Sequence, residues 1–377
     1  MLSHERTQGT FFSAICLLGF FCLWDSETLR MEEVRFPGAA ELIAGEFRRH
    51  SPEFYQWRIE DRLKKIESNP DDLSLLDDLA VSYEKSGQTD LAIQTMLDKD
   101  KRQPGLYETH ANLGTFYIHD GQLEKGLAEI QKAIEINPDA HFGREVYQQY
   151  LVEYLIASRD EDGQLQLPLD NNISYYRPTG FAAFVIKKEF PDADKVEYLA
   201  ADRTPEHRKA MPPAINGVLG MMRFGNFDSP VLLEAFAHLV LFNEDQPKQL
   251  AARALVKAAL ETTDWTAKEK YIEMAGSVIA GQSGVELQDV EDELKQEVQA
   301  GDDYFVEISA NEKAWIAEGK DVEAEYAKVY FQEPSDLTVA TAKSDLLLNL
   351  VFSMPSFLLL STVFIGAWVF VRYRRVK

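Results

Sequence analysis

Between residues 73 and 140 one pattern of 34 residues runs twice in register, and no other feature narrows the possible folds so far. Leu79, Tyr83, Gly87 and Pro104 return as Leu113, Tyr117, Gly121 and Pro138, each 34 positions on, and Pro70 precedes Pro104 by the same interval. A spacing shared by different residue types implies stacked helix pairs. Leu76, Leu79, Ala80 and Tyr83 fall on one helical face, as do Leu113, Gly114 and Tyr117. Gly87 and Gly121 suit the left-handed residue that ends the first helix of each pair. A second apolar helix follows, carrying Ala92 and Met96, then Leu127, Ile130 and Ala133. Pro104 and Pro138 cannot continue it, so each closes its unit.

These residues resemble the tetratricopeptide repeat, a helix–turn–helix unit of this length, over units 73–106 and 107–140. The small residue before the tyrosine (Ala80, Gly114), the turn glycine and the closing proline all match. Leu76 and His110 stand where the family places its first aromatic, Gly126 is the small residue of the second helix, and Lys99 replaces an alanine. The resemblance implies a concave groove lined by the first helices, able to hold an extended or helical peptide. Its groove positions are Ser74, Asp77, Val81, Glu84 and Lys85, then Glu108, Ala111, Thr115, Ile118 and His119. Some relatives grip a terminal carboxylate with Lys and Asn at such positions. Asp77, Val81, Ala111 and Thr115 cannot donate in that way, so a neutral or basic segment fits better, attracted by Asp77, Glu84 and Glu108. The same surface can instead be plainly solvated, with the repeats packed on the rest of the chain.

The two ends read as membrane-directed. Residues 11–24 form an uncharged apolar run that suits a signal-peptide core, so residues 1–26 are expected to be a cleaved signal or a retained anchor. Residues 346–371 carry no charge and are long enough to cross a bilayer, and the tail 372–377 holds three Arg and a Lys. By the positive-inside tendency that tail stays cytoplasmic. The expected topology therefore hangs the body outside the cytoplasmic membrane, periplasmic or extracellular, from one C-terminal span. A net charge of −23 argues against nucleic acid as a partner, because phosphate binding needs clustered cations. Both cysteines, Cys16 and Cys22, lie in the first apolar run, leaving no disulfide framework beyond it.

Between the ends the chain reads as helical. Residues 54–67 form an amphipathic helix with Phe54, Trp57, Ile59, Leu63 and Ile66 on its apolar side, the end of a partial first unit in a repeat region 54–140. Residues 141–283 read as a capping helix, a loop-rich junction over 159–180 and further helical hairpins, one opened by Pro212-Pro213. Residues 284–344 form an acidic juxtamembrane region; within 285–336, sixteen Asp or Glu face four Lys, yet apolar residues still recur at helical spacing. The fold class is all-α: tetratricopeptide-type repeats continuing into an irregular α-solenoid, with one C-terminal transmembrane helix.

Motifs for chemistry are missing. No HExxH, GxSxG or GxxxxGK[ST] occurs, the histidines share no ligand spacing, and no twelve-residue calcium loop is present. The chain is expected to bind another protein, an envelope component, without cofactor or metal and without catalysis. An enzyme with its site in 181–283 and a spacer without a ligand are the alternatives.

Overall fold

The computed structural model describes residues 23–138, 140–191, 205–243 and 248–331, and among these every regular element is a helix. Two compact units divide the chain, 1–322 and 323–377. In the first, α1 (Ser26–Glu33) and α2 (Ala39–Ala44) precede α3 (Pro52–Ser68). The repeats follow as α4 (Ser74–Lys85), α5 (Thr89–Arg102), α6 (Tyr107–His119) and α7 (Leu123–Ile136). Each packs on the next, and α4 also touches α6.

The repeat interval reappears as geometry. Gly87 and Gly121 take φ of 73° and 77°. The amide of Gln88 donates to the Tyr83 carbonyl at 2.9 Å, and that of Gln122 to the Tyr117 carbonyl at 2.8 Å, closing both first helices with the same left-handed cap. Helices α5 and α7 each stop two residues before their proline.

Beyond a 3₁₀ turn at Ala140–Gly143, α8 (Arg144–Ala157) packs on α7. A loop leads to α9 (Gly180–Glu189), α10 (Pro205–Phe224), α11 (Pro230–Phe242), α12 (Lys248–Glu261) and α13 (Trp265–Ile279). Every residue of α11 is buried, so it forms the middle of the main core, which runs from Leu42 to Leu294. Pro212 and Pro213 do not open α10; they lie inside it. Proline's fixed φ is helical, and its cost is lost hydrogen bonding. Burial of Met211, Ala214, Ile215 and Val218 in the core offsets that cost here.

The acidic region yields α14 (Leu287–Ala317), with Val290, Leu294 and Ile308 inward, and it touches α2, α3, α12 and α13. Helix α15 (Val322–Tyr330) begins the second unit, with its Tyr326 and Tyr330 rings 4.7 Å apart. Among the described residues no helix is long and apolar enough to cross a membrane. Residues 346–371, the expected span, the tail 372–377, and residues 1–22 of the expected signal or anchor 1–26 lie outside the described residues.

Candidate functional site

Residues 23–26 of the chain itself lie against α4 and α6. Leu23 is buried in one cluster with Ala80, Val81, Leu113 and Phe116. The Trp24 ring meets Tyr107 edge to face at 5.1 Å. Between these two side chains the Asn112 carboxamide holds the backbone of Trp24 from both sides. The Trp24 amide donates to Asn112 Oδ1 at 2.9 Å, and Asn112 Nδ2 donates to the Trp24 carbonyl at 2.9 Å. The carboxamide can donate and accept at once, which matches the N–H and C=O that a single residue turns to one side in an extended chain.

Further along, Asp25 caps α1 by accepting from the Thr28 amide at 2.8 Å, and it pairs with the buried Arg58. Asp78 then reads residue 26 twice: its two oxygens accept from the Ser26 amide and hydroxyl, each at 2.9 Å. Burial works against the charge on Asp78, but Arg58 and Arg62 outweigh it and lower its pKa. Glu27 ends the series on His50, 3.0 Å from Nε2.

The expected groove residues are brought together, but most face inward. Asp77, Val81, Ala111, Thr115 and Ile118 are buried, and Glu84, Glu108 and His119 are partly so. Asp77 is not a solvent-facing attractant, because Lys99 Nζ lies 2.5 Å from its Oδ2 out of solvent. Burial still pushes the Asp77 carboxyl up to about 7. Glu84 is likewise engaged, 2.5 Å from His119 Nδ1. Thr115 accepts a hydrogen bond from Gln148 of α8 at 3.3 Å, and Tyr107 donates to Glu145 of the same helix. Lys85 donates to the carbonyls of Phe224 and Gly225.

Two helices turn polar residues inward where apolar spacing pointed elsewhere. In α3 the buried side includes Arg58 and Arg62, while Leu63 is exposed, because Asp25 and Asp78 compensate the guanidinium charges. In α8, Arg144, Glu145 and Gln148 are buried toward the arm and the repeats. Asn112 and Asp78 went unselected for the same reason. Their only signal is a polar residue on the apolar side of a repeat helix, directly beside Ala111 and Leu79.

The region 181–283 contributes one acid–base pair. Glu234 accepts from the amides of Leu169 and Asp170 at 3.0 and 2.9 Å and from the Tyr271 hydroxyl at 2.7 Å. Burial nevertheless pushes its pKa up to about 7. His238, one turn on, lies 2.9 Å from Thr179 Oγ1, and burial pushes it down to about 4. Both side chains are sealed from solvent, 1% and 2% exposed, so the network fastens the loop before α9 onto α11. Among the described residues no group of three or more His, Cys, Asp or Glu is placed to hold a metal ion.

Comparison of the chain with protein-family models and with curated proteins yields no match.

Proposed function

We propose that this protein is a non-catalytic helical-repeat scaffold of the tetratricopeptide type that engages an extended segment of another protein in the cell envelope. The observation that carries the reading is the two-way hold of Asn112 on the Trp24 backbone, because recognition through main-chain atoms is the general way to grip an extended peptide. Side-chain selection then comes from the apolar seat of Leu23, the Tyr107 edge and the paired acceptors of Asp78. In this reading residues 23–25, the non-helical start of the arm, occupy the place of a partner.

Localisation belongs to the same proposal. The body lies outside the cytoplasmic membrane, tethered to the lipid bilayer through 346–371, with 372–377 inside. Protease added to intact spheroplasts is then expected to degrade the body; full protection reverses the topology.

The binding test uses the full-length chain with its own arm weakened by Leu23→Ser and Trp24→Ala. A labelled peptide spanning residues 20–33 is expected to bind this variant saturably, to bind the wild type far less, and to be lost when Asn112→Ala is added. No binding to the arm-weakened chain defeats the groove reading. Among the described residues the enzyme alternative rests on Glu234 and His238, and both are buried.

A further inference from the structure

Beside the filled groove lies an open cleft of about 510 Å³, within the size range of small-molecule sites. Its walls come from the arm, the loop before α3, the end of α4, the turn between α10 and α11, and Phe305 of α14. In a chain of net charge −23 this lining carries Arg48, Arg49, His50, Arg58, Lys85 and Arg223 against three carboxylates. Each of those carboxylates already has a cation: Asp25 has Arg58, Glu27 has His50, and Asp228 has Lys257 at 3.0 Å.

Lys85 stands apart. Its ammonium donates to the carbonyls of Phe224 and Gly225 at 2.9 and 2.8 Å, which uses two of its three protons, and among the described residues it has no carboxylate in ion-pair contact. Burial pushes its pKa down to about 8, against the pull of the Glu84 and Asp25 carboxylates. The cleft is also aromatic. Arg49 lies over the Phe227 and Phe305 rings at 4.8 and 4.3 Å, and Arg223 over Phe47 at 5.0 Å. Those contacts leave flat apolar surface and positive charge in one small volume.

The geometry points to a binding site for a small monocarboxylate with a flat apolar body, its carboxylate on Lys85 and its body against Phe227 and Phe305. A single negative charge matches the one ammonium proton that Lys85 has left beside its two carbonyl bonds. This site does not depend on the scaffold reading.

The test is ligand-observed NMR on the full-length chain in detergent, with three probes. Phenylacetate supplies head and body, acetate the head alone, and phenethylamine the same body with the opposite charge. Phenylacetate is expected to bind at least about tenfold more tightly than either other probe, a usual worth for a charge-assisted hydrogen bond in a sheltered site. Lys85→Met should lower that affinity about tenfold and Lys85→Arg much less, while Phe305→Ala, at the rim, weakens it without touching the buried charge. Failure of phenylacetate to bind, equal binding of the amine, or unchanged affinity in both Lys85→Met and Phe305→Ala overturns the proposal.

Discussion

His50 and Glu312, 262 positions apart in sequence, meet at 2.5 Å with both side chains buried. The other ring nitrogen of His50 faces Glu27 at 3.0 Å, so one imidazolium joins α1, the start of α3 and α14. The Ser51 amide donates to the second oxygen of Glu312 at 2.8 Å, completing the junction.

This junction makes stability fall at alkaline pH. Burial opposes the charge on His50, but its hydrogen bonds to Glu27 and Glu312 prevail and hold its pKa at about 9, above the ordinary 6.5. A raised folded-state pKa means that the stabilisation is complete below about 6.5 and is lost as pH rises through about 9. The shift corresponds to about 3 kcal/mol. Lys85, whose pKa is lowered, works the other way above pH 8, so the measurement is the difference between wild type and His50→Gln. Thermal melts should differ most near pH 6 and converge by pH 10; a constant gap contradicts the assignment.

Asn112→Ala should free the arm without unfolding the repeats. It removes two hydrogen bonds to the backbone N–H and C=O of Trp24, a loss of about 1–3 kcal/mol. Hydrogen exchange reads this directly: protection of the Trp24 and Ser26 amides should fall while that of α5 and α7 holds. Equal loss in all four places means the residue supports the whole stack.

Lys99→Met should cost more at pH 8 than at pH 5. Asp77 already leans toward its neutral form, at about 7, because burial outweighs the pull of Lys99. Without the lysine its pKa rises further, so at pH 5 the carboxyl is protonated and no charge is stranded. At pH 8 the penalty approaches the few kcal/mol of a broken buried pair. Denaturant midpoints at the two pH values, with Asp77→Asn added to the same background, check this; the double variant should be nearly pH-independent at this site.

Gly126→Ala should be more damaging than Gly87→Ala, although Gly87 is the more obvious repeat residue. A Cβ on Gly126 falls 2.8 Å from the Gly114 carbonyl oxygen and against Ile118, so α6 and α7 must separate, at about 1–3 kcal/mol. A Cβ on Gly87 meets nothing within 4 Å and costs only its left-handed φ, about 1 kcal/mol. Urea midpoints of the two variants order them.

The contrast also marks what a sequence discloses here. Leu79, Tyr83, Gly87 and Pro104 were legible because each acts locally, by helical spacing, a turn or an end, and the 34-residue interval repeats those local instructions. The helices beyond, such as α11 with apolar residues at helical spacing, were legible for the same reason. The filling of the groove was not. Asn112, Asp78 and Arg58 have partners, Trp24, Ser26 and Asp25, that arrive from about 30 to 90 positions away. Residues 23–26 themselves merge into the apolar run before them, which hid their part in the repeats. Buried polar complementarity has no period to reveal it. Lys99 is the instructive case: as a departure from the repeat pattern it was visible, and its buried partner was not.

Helix α14 spans roughly 46 Å at the standard rise. Gly301 lets it lie directly on the main chain of residues 44–46, where a Cβ would come within 2.5 Å of the Ala44 carbonyl oxygen. Glu312 then seals the junction at His50. A ribosome must therefore release roughly 210 more residues after the first repeat helices, which end at Arg102, are complete before Glu312 can lock their front edge. Until then the nascent amino-terminal third carries an unfinished seam, and that interval is when a chaperone, or a competing peptide, has its easiest access to the groove.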